Sequence, residues 1–340
     1  MDRIVEAYLR QLRFGATIDA GPLVLVPLYS AQESPLDFVS LSTALAAGSF
    51  VIREVDGAGV VGSLIVDNSG ARPVLLLDGQ ELQGAKQNRV LNTTILVGEG
   101  SSITIPVSCT EQGRWARVSE RFQESLSSAP PRLRRMNQRA VAASLTGEGG
   151  YTGDQTGVWE CVRRLADESG VESHTSAMRD VFASRLRELD SVSSSAPCQP
   201  GQTGLLAVTA GTVLGCDIVG RHNVYAVLHS TLVRSYAMDA LLSAGRTPSK
   251  SAREMALDFL GTILGSTERR FKSIGCGDDF RYEGDRLVGS SLVCGDSLVH
   301  AAFFKLPPGE DANAGDFTSP AHTRATYRRR QEDTGGERRH

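Results

Sequence analysis

Between Leu75 and Trp115 the chain alternates short apolar runs with dense polar clusters, and this alternation limits the fold more than any other feature. Residues 74–77, 91–97 and 103–107 are too short for ordinary helices and too apolar for loops, so each reads as a buried strand. The first polar cluster holds Asp78, Gln80, Glu81, Gln83, Lys86, Gln87, Asn88, Arg89 and Asn92. The second holds Ser108, Cys109, Glu111, Gln112, Arg114 and Trp115. Ordinary loops are rich in Gly, Ser, Asn and Asp, whereas these clusters mix both charges with amides. Such groups at the ends of buried strands need hydrogen-bond partners, and a ligand is one candidate for that role.

The flanking sequence extends the pattern. Strand-like runs at 22–29, 49–55 and 60–66 are separated by turn chemistry at Gly57-Ala58-Gly59 and Asn68-Ser69-Gly70. No gap is long enough for crossover helices. An antiparallel, sandwich-like β-rich domain over residues 1–126 is therefore expected. Trp115, Val118, Phe122 and Leu126 then fall at helical spacing, with Pro130-Pro131 as the stop. Arg132, Arg134, Arg135 and Arg139 follow as a basic, helical patch, and the glycine-rich run 147–153 as a hinge. That run has no strand before it and no Lys-Ser/Thr after it, so it fails as a phosphate-binding loop.

Helices are expected at 158–167 and 173–189, and a linker at 191–202, which makes 127–202 a helical segment. Residues 203–306 read as an α+β part. Two strands surround Gly211, helices cover 224–242 and 251–264, and a meander covers 279–282, 287–293 and 298–304. The class is thus α+β. Residues 307–340 carry mixed charge and little apolar content, and are expected to be a disordered tail.

A net charge of −3 gives no general attraction to DNA or to an anionic membrane surface. No apolar run approaches the roughly 20 residues that span a bilayer. The first 15 residues are interrupted by charge before a signal-peptide core can form. Instead Ile4, Val5, Tyr8, Leu9 and Leu12 make a helical stripe suited to the protein's own core. Six cysteines without a C-x-x-C pair read as reduced thiols, and the expected location is cytoplasmic.

The run LLLDGQELQGAKQNRVLNTTILV followed by IPVSCTEQGRW resembles the ARPP family, proteins associated by gene neighbourhood with ADP-ribosylglycohydrolases and rhodanese-like phosphatases. The resemblance implies a link to NAD or ADP-ribose chemistry without an established reaction. With it, the polar clusters become candidate ligand-binding residues: Asp78, Gly79, Lys86, Gln87, Asn88, Arg89, Asn92, Arg114 and Trp115. Lys86, Arg89 and Arg114 suit phosphates, the amides suit a base, Gly79 allows close backbone approach, and Trp115 offers a stacking surface. Glu81 and Glu111 are candidate catalytic carboxylates.

The expected ligand is an ADP-ribose-like nucleotide and the expected role an accessory one; a hydrolase and an assembly module, with self-association, are the alternatives. The cofactor is not identified by any motif. Cys109 and Arg114 are one residue short of the C-x5-R phosphatase spacing, and a buried structural thiol is the preferred reading. His174, His222, His229 and His300 show no metal-binding spacing, so no metal is assigned.

Overall fold

The computed structural model describes residues 1–55, 62–114, 119–243 and 250–308, and the side chain of residue 126 is not described. Its largest element is a nine-stranded antiparallel sheet. From one edge it runs Arg13–Phe14, Leu23–Tyr29, Gly204–Thr209, Thr212–Val219, Ser297–Lys305, Leu287–Cys294, Asp278–Gly284 and Thr267–Lys272, with Ile18–Ala20 also paired to Leu23–Tyr29. Leu25 stands opposite Ala207, so the first strands are hydrogen-bonded into the sheet built from the C-terminal part.

Successive side chains along a strand point to opposite faces. Leu205 and Ala207 accordingly enter one core, under the helix His222–Leu241, while Leu206 and Val208 enter another, under the helices Arg3–Arg10 and Ala252–Leu264. Burial on both faces explains why the run GLLAVT is apolar without alternation. The N-terminal stripe docks on the protein itself: Val5 and Leu9 are fully buried, and Asp2 caps the helix.

A six-stranded sheet runs Phe122–Ser128, Gln80–Gly84, Arg89–Leu91, Ser101–Cys109, Ser63–Asn68 and Phe50–Glu54. A small sheet of Ile95–Val97, Val74–Leu76 and Val39–Ser40 lies with it, the last pair being parallel. Together they enclose a third core around Leu64, Leu82, Leu91 and Ile105. The α+β class expected from the residue pattern is the class found.

Several local expectations are corrected. The helix expected through Phe122 and Leu126 is the strand Phe122–Ser128, with Phe122 opposite Gly84. A four-residue apolar spacing is a multiple of two and satisfies a strand as well as a helix. Trp115 and Val118 lie outside the described residues, as do Gly57-Ala58-Gly59, residue 60 and residues 309–340 of the expected tail. The single helix expected at 173–189 is two, Met178–Ser184 and Leu186–Ser195, and the second consumes the start of the expected linker. The edge strand Thr267–Lys272 was masked by its charges, which are what an exposed sheet edge carries.

The expected basic patch is also corrected. Arg134, on the helix Pro131–Thr146, is fully buried and donates to Asp217 at 2.6 and 2.8 Å and to Asp78 at 2.9 Å. Arg132 pairs with Asp239 and Glu168. His300 Nε2 donates to Asp217 Oδ1 at 3.1 Å, and its Nδ1 lies 2.9 Å from Thr94 Oγ1. Tyr236 donates to Asp217 at 2.8 Å, while Gln138 donates to Asp78 and Ser290. Burial alone would lower the Arg134 pKa, but the Asp217 and Asp78 carboxylates outweigh it and keep the guanidinium charged.

This network joins the polar end of the small sheet to the large one through one helix. Arg134→Ala would leave two buried carboxylates facing one another. It should cost about 3–5 kcal/mol, read by urea denaturation. Arg134→Lys should restore little of it, since an ammonium cannot replace the fork. A loss within experimental scatter for the alanine variant would refute this account.

Candidate functional site

The strands Gln80–Gly84 and Arg89–Leu91 form a hairpin whose register separates the predicted residues. Glu81 stands opposite Val90, which stands opposite Ser108; Leu82 stands opposite Arg89, which stands opposite Cys109. Alternation therefore sends Glu81 and Ser108 to one face of the sheet and Arg89 and Cys109 to the other. The predicted residues divide among four networks.

Glu81 is fully buried and accepts hydrogen bonds from Thr110 Oγ1 at 2.8 Å and Ser125 Oγ at 2.9 Å. Burial pushes its carboxyl from the ordinary 4.5 to about 7, against the opposing pull of those two hydroxyls and the Arg179 charge. Asp78 belongs to the Arg134 junction. Burial would raise its pKa, but Arg134 and His300 hold it below the usual range. Gly79 is used for backbone geometry: its φ is +79°, and a Cβ there would stand 2.6 Å from Arg134 Cγ. Asn92 forms a third network, accepting from Ser108 Oγ at 2.7 Å and donating to the Tyr151 carbonyl at 3.3 Å.

The fourth network is the turn from Gly84 to Arg89 with Glu111 and Arg114. Gly84 and Ala85 have φ of 140° and 45°, and the second is unusual for a residue with a Cβ. Side-chain acceptors meet the turn's backbone N–H groups: Ala85 donates to Ser119 Oγ at 2.9 Å, Lys86 to Glu54 at 3.2 Å and Asn88 to Glu111 at 3.3 Å. Arg114 closes the turn, donating to the Ala85 carbonyl at 2.9 Å and to Asn88 Oδ1 at 3.1 Å while pairing with Glu111 at 2.7 Å. Burial would raise the Glu111 pKa, yet Arg114, Thr175 and the Asn88 N–H hold it below the usual range.

Arg89 is buried and donates from Nη1 to Gln87 Oε1 at 3.0 Å and to Cys109 Sγ at 2.8 Å. Burial pushes the Cys109 thiol up, although Arg89 opposes this. Gln155, at the start of the helix Gln155–Ser169, brackets Cys109 by accepting from its N–H at 2.7 Å and donating to its carbonyl at 3.0 Å. Nothing in the sequence pointed to Gln155, because the contact spans 46 residues. Three N–H donors of this turn have no acceptor among the described residues: Gln87 Nε2, Asn88 Nδ2 and Arg89 Nε. Lys86 is exposed at the turn's margin, with its Nζ 4.0 Å from Glu54.

Among the described residues one group has metal-ligand character: atoms of Asp78, Asp217 and His300 lie within 4.8 Å of one another. A cation there would face the Arg134 guanidinium, which already forms an ion pair with each carboxylate. The donor set suits an internal ion pair better than a metal.

The fold and the donor-rich turn define an α+β protein organised around a polar hairpin inside a six-stranded sheet, next to the edge strand Phe122–Ser128. Residues 11–304 match the family described as the ARG and Rhodanese-Phosphatase-superfamily-associated Protein domain, and the chain belongs to that family. No curated protein and no solved structure matches it. No helix among the described residues is long and apolar enough to cross a membrane.

The Glu81 carboxyl makes stability depend on pH. Unfolded, it ionises near 4.5; folded, it keeps its proton to about 7. Between those values the folded chain binds the extra proton, so this contribution to stability falls as pH rises. Relative to Glu81→Gln, the wild-type protein should lose about 3 kcal/mol across that window, measured by urea denaturation at its two ends. Parallel stabilities for the two proteins would exclude a buried, protonated Glu81.

Proposed function

We propose that this protein is an accessory component of ADP-ribose-linked metabolism that binds an ADP-ribose-like nucleotide at the turn 84–89, with Glu111 and Arg114 beside it. The observation that carries the reading is the set of three buried N–H donors without acceptors on consecutive residues, Gln87, Asn88 and Arg89. Buried donors left unmatched are costly, and a ligand rich in acceptors would relieve them. The family's association with ADP-ribosylglycohydrolase-type and rhodanese-phosphatase proteins supplies the chemical context. In this reading Lys86 and Arg114 flank the turn, and Asp78, Gly79 and Asn92 support the hairpin from behind without touching ligand.

A second reading has its own support. A carboxyl held near neutrality can take and give protons, and Glu81 is such a group. In a hydrolase acting on an ADP-ribose-derived bond it would be the general acid or base, with Glu111 held ionised by Arg114. The assembly reading has less to rest on, because the N-terminal stripe and two of the four arginines are engaged internally.

Calorimetric titration with ADP-ribose, NAD and AMP separates these readings. Binding of ADP-ribose without turnover is the expected result. Absence of heat at millimolar ligand would remove the nucleotide reading. Release of product from ADP-ribose conjugates, abolished in Glu81→Gln with the fold intact, would favour the hydrolase.

A further inference from the structure

Three arginines are buried among the described residues, and they differ in one respect. Arg134 lies between Asp78 and Asp217, and Arg281 lies against Asp279. Arg89 instead meets the amide oxygen of Gln87 and the sulfur of Cys109; among the described residues no carboxylate forms an ion pair with it, and Glu54 acts on it only from a distance. A buried guanidinium without a counter-charge is unfavourable, so buried charges are ordinarily paired. Cys109 does not supply the charge, because burial keeps its thiol protonated at neutral pH.

We infer that the missing counter-charge is an oxyanion carried by the ligand, and that Arg89 and Gln87 hold the diphosphate of the nucleotide rather than its base or sugars. This rests on the nucleotide reading above and deepens it. The polarity of the unmatched groups decides the chemistry: Gln87 Nε2, Asn88 Nδ2 and Arg89 Nε are all donors. A ribose hydroxyl or an adenine edge brings donors of its own, which would need acceptors that these atoms cannot provide. A phosphate ester of low pKa brings acceptors only, and its oxygens match a guanidinium fork. Exposed Lys86 adds positive charge at the margin of the same turn.

Full-length protein titrated with inorganic pyrophosphate, adenosine and ADP-ribose tests the assignment. Pyrophosphate should bind and compete with ADP-ribose, while adenosine should do neither. Arg89→Gln should weaken pyrophosphate by about tenfold or more, and Gln87→Met should weaken it too if the arginine variant fails to fold. ADP-ribose binding that pyrophosphate does not compete with, or that adenosine matches, would overturn the inference and leave the nucleotide reading standing. Pyrophosphate binding without ADP-ribose binding would overturn the nucleotide reading and leave an anion site of another ligand at Arg89, and no binding of either would end both. A thiolate absorbance from Cys109 in the free protein at neutral pH would also overturn it, because the counter-charge would then be internal.

Discussion

The structure depends on the pairing of one buried guanidinium, Arg134, with two carboxylates from different sheets. Asp78 follows a strand of the small sheet and Asp217 lies within the large one, so a single helix residue spans the junction. The charges are hydrogen-bonded on most sides, by Tyr236, His300 and Gln138, and the guanidinium lies 4.8 Å from the Phe304 ring centre. A hydrophobic contact would hold the layers together as well, but it would tolerate sliding. A fork shared between two carboxylates has one good geometry, and it sets where the hairpin after Gly79 must begin. The glycine is part of the same constraint, since any Cβ there would strike the arginine stem.

That fixed starting point determines what the hairpin can present. With Glu81 opposite Val90 and Leu82 opposite Arg89, the carboxyl and the guanidinium cannot meet through the sheet. A shift of one residue would exchange the faces, placing Leu82 among the hydroxyls of Thr110 and Ser125 and Glu81 in the apolar core. The register thus separates a proton-holding carboxyl from a buried guanidinium only a few residues away. The turn between them is where the two faces come back together, through Asn88, Glu111 and Arg114.

Much of this was legible in the residues. The apolar runs gave the strands, and the polar clusters marked the hairpin and its neighbour. Gly204–Thr209 and the helix His222–Leu241 followed from apolar content and spacing. What could not be read was long-range. Arg134 looked like one of four surface arginines because its partners, Asp78 and Asp217, are 56 and 83 residues away. The partners of Asp78 and Asn92 within the protein could not be read either, because polarity at a strand end is the same whether its partner is a nucleotide or another side chain. Four-residue spacing at Phe122 fitted two periods, and only pairing with Gln80–Gly84 decided between them.

The contrast between the junction and the turn is the strongest functional argument the fold offers. At the junction the buried guanidinium of Arg134 has carboxylates as partners, and Arg281 has Asp279, although its Nη1 is unmatched. At the turn, Ala85 takes a left-handed φ, and Arg89 and its neighbours keep donors unmatched. Each buried donor left unpaired costs about 1–3 kcal/mol, so three of them represent a large fraction of the 5–15 kcal/mol or so by which a domain is stable. Unmatched donors also occur singly elsewhere, at Trp159 Nε1, Arg234 Nε and Arg281 Nη1, whereas the turn places three on consecutive residues. Unfavourable geometry held in place by rigid surroundings is what a preorganised binding site requires, because the groups are then oriented before the ligand arrives.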